Sequence, residues 1–87
     1  MSDEPGPLEP ATARVIGIVG TVLRAGPVSA GQSFHAFGGT SLQAMRVCLR
    51  IERETGVAIA PESLLDSDSL GEFAEIVLAA VAAVTAR

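Results

Sequence analysis

Eighty-seven residues with a net charge of −4 and 48% hydrophobic content make at most one small domain, and three Phe with no Trp or Tyr mean that its core must be aliphatic. One Cys excludes an intrachain disulfide and a cysteine zinc cluster, and one His is too few for a histidine metal site, so no metal is expected. Six Arg, no Lys and ten carboxylates leave neither the basic footprint nor the aromatic platforms of a nucleic-acid binder.

Residues 1–7, rich in Pro, Gly and acid, read as a disordered tail, and residues 8–87 as a single domain. The start holds no basic stretch followed by an apolar one, so it does not read as a secretory signal. A chain beginning at Met1 reads as a free-standing protein, although a piece of a longer one would look the same. An unpaired thiol without an export signal points to the cytoplasm. The longest apolar run, Ile76 to Val84, falls far short of the ~20 residues that span a bilayer.

The first helix is predicted from about Pro10 to Ala25. Ala11, Val15, Ile18, Val19 and Val22 fall on its inner side, Gly17 and Gly20 on its outer side, and Gly26-Pro27 ends it. A loop of about thirteen residues, Pro27 to Thr40, carries Phe34 and Phe37, whose rings are expected to pin it to the core.

The second helix is predicted over Ser41 to Thr55, ended by Gly56, and it carries two apolar stripes. Ala44, Val47, Cys48 and Ile51 make a core face on which Cys48 reads as a buried small hydrophobe. Leu42, Met45 and Leu49 lie roughly 130° away at 100° per residue, bordered by Arg46, Arg50 and Arg53. That second stripe is either a wider core contact or an exposed docking strip with a cationic margin.

Val57 to Ile59 link to a short helix at Pro61 to Leu65. Ser69 and Glu72 form a capping box that opens a last helix from about Leu70 to Thr85. Leu70, Phe73, Ala74, Val77, Val81 and Val84 are expected on its core side, with Glu72, Glu75, Ala79 and Ala82 outside. The fold class is thus all-α: a small four-helix bundle, three longer helices plus one short.

Gly38, Gly39, Thr40 and Ser41 stand where the long loop becomes a helix. Ser41 reads either as a plain N-cap or as an addressable hydroxyl, with the glycines permitting close approach by another molecule. Nucleophilic catalysis is disfavoured. His35 is the only histidine, no acid is placed to orient it, and Ser41 is followed by Leu42 and Gln43 rather than by the elbow pattern. His35 is expected to make a local hydrogen bond instead. A covalent attachment point fits better, because a helix N-terminus favours an attached anion by ~0.3–1 kcal/mol.

Gly38-Gly39-Thr40-Ser41-Leu42, preceded by Phe34 and Phe37, resembles the G-G-x-S-L signature of peptidyl carrier proteins. These are the thiolation domains of nonribosomal peptide synthesis, within the acyl carrier protein-like superfamily. The resemblance continues through the second helix, Gly56 to Ile59, Leu64-Leu65 and Ser69-Leu70, and so spans about residues 8 to 84. It implies a four-helix fold of acyl carrier protein type. It also implies that Ser41 receives 4′-phosphopantetheine from coenzyme A through a Mg²⁺-dependent phosphopantetheinyl transferase. The resulting thiol would carry an aminoacyl or peptidyl thioester to adenylation, condensation, tailoring or thioesterase enzymes, as in antibiotic biosynthesis.

The domain itself would be a monomer without catalysis of its own. Gly38, Gly39 and Thr40 would form the attachment loop, and Leu42, Met45, Arg46, Leu49 and Arg50 would face partners. His35, Ala36 and Thr40 depart from the family's usual residues, which are a second Phe, an acid, and Asp or His. Gly-Gly-Thr before the serine favours amino-acid over acyl cargo. Fatty-acid-type carriers typically have an acidic second helix, so the cationic margin here implies partners with neutral or acidic docking surfaces. The alternatives are an acyl carrier protein of a polyketide or fatty-acid-like pathway, and an unmodified helical interaction module.

Overall fold

The computed structural model describes residues 9–26 and 28–85. Their regular structure is helical throughout: α1 (Glu9–Leu23), α2 (Ser41–Thr55), α3 (Pro61–Leu65) and α4 (Leu70–Thr85), with one 3₁₀ turn at His35–Phe37. This is the four-helix bundle expected from the periodicity, three longer helices and one short. The tail assigned to residues 1–7 lies outside the described residues.

α1 packs on both α2 and α4, and α3 on the same two helices. Contact on two sides widens the buried arc of α1 beyond the predicted stripe, so Ile16 is buried beside Val15, Ile18 and Val19. The predicted core arc of α2 is buried as expected: Ala44, Val47, Cys48 and Ile51. On α4 burial is complete at Leu70, Phe73, Ala74 and Val77 and only partial at Val81. Val84, expected in the core, is 53% exposed: it lies in the last turn of α4, beyond the partly buried Val81.

α1 ends before Gly26-Pro27, not at it. Arg24 adopts the left-handed conformation at φ 55°, its N–H donates to the Thr21 carbonyl (3.2 Å), and the Ala25 N–H donates to the Gly20 carbonyl (3.0 Å). This is a Schellman closure with Arg24 at the position that glycine usually fills. Gly26, also left-handed at φ 76°, then turns the chain back across the helix.

That return corrects the placement of Gly20, which is buried rather than outward. A Cβ on Gly20 would lie 2.6 Å from the Gly26 carbonyl oxygen, whereas a Cβ on Gly17 would meet nothing within 4 Å. Nothing in the structure explains Gly17. The two glycines should therefore respond with opposite signs. Gly17→Ala should raise stability by about 0.5–1 kcal/mol through helix propensity alone. Gly20→Ala should lower it, because the backbone clash outweighs the same propensity gain. Urea midpoints of the two variants check this.

The α1–α2 connection is built into the bundle. The Leu70 N–H donates to the Gln32 carbonyl (2.8 Å) and the Gly71 N–H to the Ala30 carbonyl (2.9 Å), so the loop caps the start of α4. Ser69 Oγ accepts from the Glu72 N–H (3.1 Å), as the capping box predicts. The reciprocal arm lands one residue upstream, where the Glu72 carboxylate accepts from the Asp68 N–H (2.5 Å).

Candidate functional site

The loop before α2 is anchored by Phe34, which is 1% exposed, while Phe37 is half-buried against the core. The Phe34 carbonyl accepts from the N–H groups of both Phe37 and Gly39, each at 3.2 Å. Gly38 then turns left-handed at φ 72°, its N–H donating to the His35 carbonyl (2.9 Å). The two glycines serve different purposes. Gly38 supplies a backbone angle that L-residues avoid. Gly39 makes room for the chain's own Phe34 ring, since a Cβ there would run into that ring's edge. The close approach expected from an outside molecule is, at Gly39, an internal one.

His35 does not bond locally. Its Nε2 donates to the carbonyl of Leu65, thirty residues away, at 2.8 Å. A carbonyl only accepts, so Nε2 carries the proton. His35 thus ties the loop to the end of α3.

Thr40 is the N-cap of α2. Its backbone is extended (φ −111°, ψ 170°), and its Oγ1 accepts from the Gln43 N–H at 3.2 Å. Its carbonyl accepts from the Ala44 N–H at 2.9 Å. The capping role that the sequence left open for Ser41 therefore belongs to its neighbour. Thr40 and Gln43 carry the S/T-x-x-E/Q pattern, a signal available in the sequence and overlooked there. The Gln43 arm of that box is not made, and its Oε1 is buried without a partner among the described residues.

Ser41 is the first helical residue and is exposed. Among the described residues no hydrogen bond engages its hydroxyl. The N–H groups of Ser41 and Leu42 have no acceptor within the helix, so the first turn of α2 is suited to an anion such as a phosphodiester. The residues present thus fit a phosphate-linked group. The family model for phosphopantetheine attachment sites matches residues 13–77.

The chain belongs to this family. It is a carrier domain, with 4′-phosphopantetheine as its covalent cofactor. Such domains are modified by a phosphopantetheinyl transferase, work with biosynthetic enzymes and are generally non-catalytic. No curated protein matches the chain significantly.

The second stripe of α2 in this carrier domain is solvent-exposed, not a wider core contact. Leu42 is 57% exposed, Met45 49% and Leu49 56%. Arg46 and Arg53 are exposed beside it. Arg50 donates to Glu54 (3.0 Å), which also meets Arg14 of α1 (3.5 Å). These exposed pairs contribute at most about 1 kcal/mol each. Among the described residues no helix is long and apolar enough to cross a membrane.

Cys48, at the edge of the core arc, is 4% exposed. Burial, and secondarily the Glu62 charge, push its thiol up to about 11 from the ordinary 9.0. Native Cys48 should therefore alkylate far more slowly at pH 8 than the same thiol in urea, as a timed iodoacetamide reaction would show. The raised value also carries a stability term, present below pH 9 and lost as pH rises toward 11, because the unfolded chain releases the proton first.

Proposed function

We propose that Ser41 is the attachment hydroxyl, that Gly38, Gly39 and Thr40 form its loop, and that residues 8–87 act as one unit carrying an aminoacyl or peptidyl group. The observation that supports this best is the division of labour at the start of α2. Thr40 takes the cap, which leaves the Ser41 hydroxyl exposed and, among the described residues, unengaged. In the loading step a bond forms between Ser41 Oγ and the phosphorus of coenzyme A that bears pantetheine. The pyrophosphate linkage breaks, adenosine 3′,5′-bisphosphate leaves, and the hydroxyl proton passes to the transferase. The arm supplies a terminal thiol that holds cargo as a thioester. The chain's own part is to hold Ser41 at the helix N-terminus, whose free N–H groups would favour a phosphodiester there.

Leu42, Met45 and Leu49, with Arg46 and Arg50 at the margin, form the surface that meets the transferase and the adenylation, condensation, tailoring or thioesterase enzymes. Met45 suits a strip that must accept several partners. The Gly-Gly-Thr sequence before Ser41 supports amino-acid over acyl cargo. Incubation with coenzyme A, Mg²⁺ and a promiscuous transferase should add the mass of one phosphopantetheinyl group. No gain would leave the helical interaction module. Loading by an adenylation enzyme with amino acids, set against an acyltransferase with acyl-coenzyme A, then separates peptidyl from acyl carrier.

A further inference from the structure

The exposed strip of α2 differs in charge on its two sides. Going round the helix at 100° per residue, Arg46, Arg50 and Arg53 follow the strip on one flank, Arg50 being already paired with Glu54 on its far side. Glu52 lies on the other flank, the side on which α3 packs, and Glu62 stands in the first turn of α3, next to the Pro61 that shares a hollow with Glu52. Met45, Cys48, Leu49, Glu52, Ile59 and Pro61 line a shallow hollow between α2 and α3, which places the acidic flank directly against the apolar strip. The field of Glu62 reaches the Cys48 thiol on the same side.

Resting on the reading that this strip is a docking surface, we infer that the surface is polarised across its width. It takes a partner enzyme with an apolar centre, acidic side chains over the Arg46–Arg50–Arg53 flank and basic side chains over the Glu52–Glu62 flank. Turning such a partner end for end exchanges its two edges and sets like charges together. The two flanks therefore fix the direction in which the partner lies along α2, and with it which part of the partner reaches Ser41. Edge charges of this kind act on orientation and encounter more than on total affinity. The occupant is an enzyme rather than a second copy of this chain, because whatever acts on Ser41 must cover the first turn of α2, and Leu42 belongs to that turn.

A stapled helical peptide can stand in for the partner, with a Leu stripe, Glu along one edge, Lys along the other and a spin label at its N-terminus. Titrated into the isotopically labelled protein, it should broaden resonances at one end of α2. In the edge-exchanged variant (Arg46→Glu, Arg50→Glu, Arg53→Glu, Glu52→Arg, Glu62→Arg) it should broaden those at the opposite end. All five side chains are exposed, and Arg46→Glu with Glu62→Arg repeats the test if the full exchange lowers the melting temperature. A peptide with Glu on both edges should bind the wild type about threefold more weakly, the scale of one exposed ion pair.

Binding that broadens the same end in both proteins, or both ends equally, overturns the polarity and leaves the docking strip standing. Failure of every peptide to perturb Leu42, Met45 and Leu49 overturns the strip itself, and the polarity with it. Self-association through this face, seen by sedimentation and lost on edge exchange, overturns the choice of occupant. None of these outcomes touches the assignment of Ser41, which mass measurement tests separately.

Discussion

Ser41→Ala is expected to fold like the wild type and to take up no phosphopantetheine at all. The side chain is exposed at the first helical position and makes no hydrogen bond among the described residues, so its removal should change stability by no more than about 0.5 kcal/mol. Thr40→Ala should behave in the opposite way. It loses the bond from the Gln43 N–H, with a cost of about 1 kcal/mol, but keeps the Ser41 hydroxyl and should therefore still load. Urea denaturation and intact mass after incubation with transferase give both numbers for each variant. If Thr40→Ala blocked loading while Ser41→Ala did not, the roles of the two residues would be exchanged.

Phe34→Ala is expected to cost about 3–5 kcal/mol, the range for emptying a buried phenylalanine site. Small domains have only about 5–15 kcal/mol in total, so this one change should bring the protein close to unfolding at 37 °C. It should also slow loading in whatever fraction stays folded, because the loop that delivers Ser41 has no other fully buried aromatic anchor. Gly39→Ala attacks the same contact from the other side by pushing a methyl group against the ring. The two substitutions should therefore couple. In the double variant the ring is gone, the methyl has space, and the total cost should fall below the sum of the single costs. Strictly additive costs, or a Phe34→Ala penalty under about 1 kcal/mol, would show that the ring does not hold the loop.

Much of this structure was legible because its elements are strongly periodic and punctuated. α2 and α3 run as predicted, since Gly56 ends one and Pro61 begins the other. The two-stripe pattern of α2 could be read, but whether the second stripe was covered could not, because that depends on where α3 and the long loop lie. What escaped the sequence was tertiary in origin. Gly20 is buried because the chain doubles back over it after Arg24, a turn that a non-glycine residue conceals. His35 bonds across the fold to Leu65, a partner that no local rule proposes. Gly39 is shaped by Phe34, five residues earlier but folded over it. At the site the capping pattern of Thr40 and Gln43 was present in the letters, and it alone would have freed Ser41 from the capping role.

The central claim is that one hydroxyl, on Ser41, receives the cofactor. Fragment-ion mapping of the wild-type protein after reaction with coenzyme A, Mg²⁺ and a promiscuous transferase tests it most directly. The account predicts a single phosphopantetheinyl group, borne by Ser41 and by neither Thr40 nor Ser33. A group on any other residue, or an unmodified chain under conditions that load a control carrier, would contradict it.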